Sequence, residues 1–219
     1  MLFRGSKKCY SKKNLNLSAI GHKIRKNTIH LHTEIGKVFV LGGTSEYYSS
    51  LISNKIIFMK TLEYTAHITV FSSREELPEE LFNLLKQAEE SAKHAYAPYS
   101  KFKVGAAILL NNGKIVMGNN QENAVYPSGL CAERTAAFAA SAQYPEVPFH
   151  VIAITAIHPS MPLNKPVPPC GSCRQVLYEY ERKFMQPISL LLAGETGEVY
   201  FIKSVSELLP CSFSADFIL

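Results

Sequence analysis

Three cysteines at two helix starts constrain this chain more than any other feature. Cys170 and Cys173 follow Pro169 as a C-x-x-C pair, and Cys131 stands upstream in Cys131-Ala132-Glu133. Each group opens a segment that reads as helix. Gly129–Gln143 is Ala-rich, and Cys170–Phe184 puts Val176, Leu177 and Tyr180 on one face. Residues three apart in a first helical turn share a face, so the Cys170 and Cys173 sulfurs converge. A third thiolate from a second helix start leaves one position open on a tetrahedral zinc ion. Three protein ligands with an open position is the catalytic arrangement, and four is the structural one. Cys211, beside Pro210, is the only other cysteine downstream that could serve as a fourth ligand. Five scattered cysteines make a poor disulfide framework; a metal site in a reducing, cytoplasmic setting fits them better.

Glu133 follows a ligand by two residues. A glutamate in a first helical turn is ordinarily explained by the helix dipole. Beside three thiols it gains a second reading: a carboxylate that is not a ligand but reaches the open position can move a proton to or from water there. Three thiolates on Zn2+ sum to −1, and Glu133 adds another negative charge. Arg134 and Arg174, each directly after a ligand-bearing turn, are expected to offset that excess, together with the two helix N-termini. Taken alone, Cys170-x-x-Cys173 also fits a redox dithiol. That reading needs the pair after a first strand, whereas here it follows a Pro-rich loop after the third expected strand of the globular part.

The elements around these residues read in order. Ser73-Arg74-Glu75-Glu76 resembles a capping box, and Leu81, Leu85, Ala88, Ala92 and Ala95 form one helical stripe. Lys103–Leu110 and Lys114–Met117 flank Asn111-Asn112-Gly113, the signature of a hairpin. Phe149–Ala156, Ile188–Ala193 and Val199–Ile202 are strands. The order α-β-β-α-β-α-β-β predicts an α/β fold with a five-stranded mixed sheet covered on both faces.

Charge divides the chain. Residues 1–58 hold ten basic and two acidic side chains, a formal +8, while residues 59–219 hold 13 and 16, a formal −3. The first segment is expected to be a basic, disordered extension or an over-long start, with the globular domain over 59–219. The mildly acidic domain lacks a basic groove with interleaved aromatics, which argues against a nucleic-acid partner. No apolar run approaches the ~18 residues that cross a bilayer, so no membrane association is expected.

Four blocks in order resemble the cytidine deaminase family, in particular its small homotetrameric class. They are Tyr96–Ala107, Gly118–Pro127, Cys131–Ala136 and Pro169–Gln175. The resemblance spans about residues 74–217. It implies a three-layer α/β/α sandwich and one zinc ion per subunit on Cys131, Cys170 and Cys173. It also implies hydrolytic deamination of cytidine and 2′-deoxycytidine for pyrimidine salvage, with Glu133 as the proton shuttle. The same resemblance gives Asn120 and Glu122 to the ribose, Phe102 and Tyr126 to the pyrimidine pocket, and the Ala132 backbone N–H to the pyrimidine O2. Phe213 would enter a neighbouring subunit's site. The extension has no counterpart in the family, and Gln143–Pro169 is a few residues longer than expected. Two rivals remain at this point: a zinc deaminase for a related amine such as a nucleoside antibiotic, and a non-catalytic zinc module completed by Cys211.

Overall fold

The computed structural model describes residues 38–40, 47–52 and 55–218. The chain forms two compact units, Met1–Glu63 and Tyr64–Leu219. In the first, β1 (Val38–Val40), β2 (Tyr47–Ile52) and β3 (Lys55–Lys60) make an antiparallel sheet in the order β1-β2-β3. β3 runs through the expected boundary at 58/59. Tyr47-Tyr48, Leu51-Ile52 and Ile56-Ile57-Phe58 are aromatic and branched residues of the kind strands favour. The rest of the extension lies outside the described residues.

The second unit carries β4 (Ile68–Phe71), α1 (Glu79–Lys93), β5 (Lys103–Leu110), β6 (Ile115–Asn119) and α2 (Ala132–Gln143). It continues with β7 (Phe149–Ile157), α3 (Gly171–Phe184), β8 (Ser189–Ala193) and β9 (Val199–Ile202). The sheet order is β4-β9-β8-β7-β5-β6, with β7 and β8 parallel and every other pair antiparallel. The sheet thus has six strands and not five. The extra one, β4, is a four-residue edge strand whose Ile68 and Val70 stay exposed, so it lacks the alternation of a half-buried strand. Ser73 does not cap α1 either. Arg74–Glu76 is a 3-10 turn, and α1 starts only after Pro78.

Alternation along the central strands builds the three layers. Ala107, Leu109, Val151, Ala153, Leu191 and Ala193 face α1 through Leu84, Leu85 and Ala88. Their neighbours Ala106, Ile108, Ile152, Ile154, Leu190 and Leu192 face the other side, where Ala132, Ala136, Ala137 and Ala140 of α2 and Leu177 of α3 complete a second core. Each fully buried Leu or Ile contributes about 1.5–3 kcal/mol. The Ala face lets α2 lie close on the sheet. A Cβ at Gly118 would sit 2.3 Å from the Ala136 N and 2.7 Å from the Ala132 O, so only glycine permits this approach. That contact fixes the first turn of α2, which carries Cys131 and Glu133.

Candidate active site

Cys131 and Cys170 are the N-cap residues of α2 and α3, both in extended conformation, and Cys173 lies in the first turn of α3. The three sulfurs lie within 4.8 Å of one another. Cys131 Sγ is 3.9 Å from Cys170 Sγ, and Cys170 Sγ is 3.5 Å from Cys173 Sγ. Tetrahedral zinc with Zn–S bonds of about 2.3 Å requires sulfurs about 3.8 Å apart. The donor set therefore fits that ion in spacing and softness. Cys211 is outside the cluster: its thiol donates to Tyr64 Oη at 3.5 Å. The structure thus removes it as a fourth ligand.

The cluster polarises its own protons. The Cys173 thiol donates towards Cys131 and brings the Cys131 pKa down to about 5, with Arg134 adding to the effect. Cys173 moves the other way, upwards, because it is the donor and is buried. Two helix N-termini favour thiolate in the same place. Arg134 Nη2 donates to Cys131 Sγ at 3.6 Å, as charge balance requires. Its Nε is the one buried side-chain donor or acceptor without a partner among the described residues. Arg174 behaves differently from expectation. Its Nε donates to the Pro169 carbonyl at 2.9 Å and its Nη1 to the Leu208 carbonyl at 3.1 Å. It fixes the loop before Cys170 instead of meeting sulfur.

Glu133 is 4% exposed. Burial pushes its carboxyl above the ordinary value, and the charge of Cys131 adds to this. It lines a cleft of about 670 Å³ together with Cys131, Cys170, Arg134, Phe102, Asn120, Glu122 and Tyr126. Most of the expected pocket residues therefore converge. Ala132 is fully buried and its side chain does not line the cleft. Phe213 is elsewhere: its ring is 57% exposed and stacks on Phe217 at 5.7 Å.

The cleft wall opposite the sulfurs is held by side chains bonded to backbone. Asn120 Oδ1 accepts from Val104 N at 2.8 Å, and its Nδ2 donates to Phe102 O at 3.0 Å. Glu122 accepts from Tyr99 N at 2.8 Å, from Ser100 N at 3.3 Å and from the Ser100 hydroxyl. These bonds stabilise a turn in which Lys101 has φ of +59°, a left-handed conformation unusual for lysine. Phe102 follows that residue directly. Sequence reasoning gave Asn120 and Glu122 to ligand and missed this scaffold work. It also missed Tyr99 and Ser100 as lining residues, and Val167 and Pro168 on the far side. The Asn-rich composition of the stretch was the available signal.

A zinc-binding hydrolase built on an α/β/α sandwich is the class that this arrangement defines. Residues 78–186 match the model of the cytidine and deoxycytidylate deaminase zinc-binding region. The chain is 42% identical over 133 residues to a cytidine deaminase of Halalkalibacterium halodurans, covering 61% of this chain and 93% of that protein. It is 38% identical to a cytidine deaminase of Sporosarcina psychrophila, covering 61% of this chain and 90% of that one. The crystal structure of a cytidine deaminase from Burkholderia pseudomallei superposes with a TM-score of 0.54 at 38% identity, over 63% of this chain and all of that one. The chain belongs to the cytidine deaminase family.

Proposed function

We propose that this protein converts cytidine and 2′-deoxycytidine, with water, to uridine and 2′-deoxyuridine and ammonia. The observation that carries the reading is a buried glutamate beside three convergent thiols in one cleft. Cys131, Cys170 and Cys173 would hold a zinc ion, which would supply Lewis-acid polarisation and lower the pKa of a water in the cleft. Glu133 would take one proton from that water and pass it to ring N3 as the hydroxide adds to C4. It would then take the proton of the new C4 hydroxyl and deliver it to the amino group, so that the C4–N bond breaks, ammonia leaves and a C4 carbonyl remains. A carboxyl raised by burial is suited to both accepting and giving.

The remaining residues orient the substrate. Phe102 packs on the pyrimidine and Tyr126 closes its pocket, the Ala132 N–H meets O2, and Asn120 and Glu122 hold the ribose. Support comes from the lining itself. Arg134 is the only basic residue in it, and its guanidinium already serves Cys131. Glu122 repels a phosphate. A free nucleoside is therefore favoured over a nucleotide, in keeping with a role in pyrimidine salvage. We place the enzyme in the cytoplasm as a homotetramer in which Phe213 closes the neighbour's cleft. Among the described residues no helix is long and apolar enough to cross a membrane.

The test is ultraviolet-monitored turnover of cytidine, deoxycytidine and cytosine by zinc-replete protein, beside Glu133→Gln. The variant should keep its zinc and lose about 10²–10⁴ in rate, the usual size of a general acid–base contribution. Free cytosine, lacking the ribose, should be the poorest substrate. A zinc-loaded Glu133→Gln as active as the parent removes the assigned role.

A further inference from the structure

The long loop between β7 and α3 supplies one wall of the cleft, through Val167 and Pro168. It is not held by apolar burial alone: Pro159, Ser160, Met161, Pro162, Asn164 and Lys165 are all exposed. What holds it is the turn between β8 and β9. Glu195 Oε1 accepts from the His158 backbone N–H at 3.1 Å and from the Leu163 N–H at 3.2 Å, so one carboxylate oxygen ties the start and the middle of the exposed stretch. Thr196 N donates to Leu163 O at 3.0 Å, and Val167 N to Ala193 O at 3.4 Å. The turn is itself fixed from below. Arg74 Nη2 donates to the carbonyls of Gly194 at 3.1 Å and Glu195 at 2.6 Å. The approach is close, because a Cβ on Gly194 would lie 2.5 Å from the Leu163 carbonyl oxygen.

His158, the first residue so tied, continues inwards. Its ring meets Phe102 edge to face, with centroids 6.1 Å apart. A contact of that kind restricts the orientation of the Phe102 ring. The carboxylate of Glu195 therefore reaches both sides of the cleft without lining it: Val167 and Pro168 through the loop, and Phe102 through His158.

We propose that Glu195 is a positioning residue for nucleoside binding. It fixes the 158–168 loop so that Phe102 and the Val167-Pro168 wall meet the nucleobase at a set spacing. This rests on the reading of the cleft as a pyrimidine nucleoside pocket. Glu195 touches no reacting atom, so its loss is a loss of pre-organisation, which weakens binding while leaving proton transfer at Glu133 intact.

The experiment compares the parent with Glu195→Ala, Glu195→Gln and Gly194→Ala, all zinc-replete, by cytidine kinetics and hydrogen exchange over residues 157–169. Glu195→Ala should raise KM about tenfold with kcat nearly unchanged, the size expected for losing hydrogen bonds to a charged group. Exchange at the loop should quicken, and zinc content should hold. Glu195→Gln keeps an oxygen that can accept from both amides and should restore most of the affinity. Gly194→Ala displaces the same loop without touching the carboxylate and should reproduce the KM effect. Faster loop exchange in Glu195→Ala with KM unchanged overturns the proposal, and so does a fall in kcat alone. If the zinc-loaded parent does not turn over cytidine, the deaminase reading fails instead. Loop exchange then still decides the anchoring: unchanged protection in Glu195→Ala overturns it.

Discussion

The two sides of the cleft are made rigid by different means. The sulfur side consists of helix starts. Cys131 and Cys170 take their places because α2 and α3 begin there, and the position of α2 follows from Ala residues packed on the sheet at Gly118. The opposite side contains no α-helix. Tyr99–Val104 is held by Asn120 and Glu122 through side-chain-to-backbone hydrogen bonds. Regular structure positions the metal ligands, whose distances must agree to within about 0.2 Å. Side-chain-to-backbone hydrogen bonds shape the wall that the proposed reading gives to the substrate, where shape can vary with the loop at little cost to the core.

The difference is tested most severely by removing a ligand. Cys173 is completely buried. Cys173→Ala should abolish zinc binding and turnover, because two thiolates cannot replace three and the metal joins two helix starts. The thermal midpoint should fall by several degrees, and amide protection should fall at the starts of α2 and α3. The wall from Tyr99 to Val104 should keep its protection, since none of its hydrogen bonds involves the cluster. Cys211→Ala serves as the control, with metal content and activity retained. Equal loosening of both walls in Cys173→Ala would show that they are one unit.

A smaller effect is expected at Phe213. Its ring lies outside its own chain's cleft, exposed and stacked on Phe217. If a neighbour's Phe213 completes the substrate side, Phe213→Ala should raise KM for cytidine. It should also shift a tetramer towards smaller species on dilution, since losing an interface aromatic costs about 2 kcal/mol or more. Steady-state kinetics and light scattering read the two effects. An unchanged assembly with unchanged kinetics confines Phe213 to its own surface.

The contrast between the walls also explains what the sequence made legible. The ligands and Glu133 were readable because helix periodicity puts i and i+3 on one face, and a C-x-x-C spacing states that geometry directly. The sandwich is readable because Ala106–Leu110 and Val151–Ile154 are apolar on both faces. The substrate side was less readable because its determinants are distant in sequence. Glu122 bonds Ser100 and Glu195 bonds His158, and neither pair has a periodic signature. The left-handed turn at Lys101 leaves no compositional mark, since lysine is not a residue that favours it. Arg174 was assigned by adjacency to Cys173, but a residue one further along a helix points about 100° away, here towards Pro169 and Leu208. β4 escapes a sequence reading because it is a four-residue edge strand in which only Phe71 reaches the core, too short for an alternation to register.

The smallest expected effect probes the substrate wall by its charge. The Ser100 hydroxyl, with the Tyr99 and Ser100 amides, holds the Glu122 carboxyl below its ordinary value. A carboxyl depressed in the folded state favours that state while ionised. Its contribution is complete above the ordinary carboxylate pKa of about 4.3 and is lost as pH falls through the lower folded value. The turn before Phe102 should therefore stay ordered at neutral pH and loosen only in acid. Glu122→Gln keeps one accepting oxygen, which can serve Ser100 Oγ. It places an amide NH2 where Oε2 now accepts from both backbone N–H groups. KM for cytidine should rise roughly three- to tenfold at pH 7, the size of one or two net hydrogen bonds. The informative quantity is the ratio of KM between variant and parent, because the metal ligands titrate alike in both and cancel. That ratio should be constant from pH 8 to about 5 and fall towards one in stronger acid, where the parent's carboxylate is also neutralised. A ratio that stays high throughout would mean that the shape of Glu122, not its charge, holds the turn.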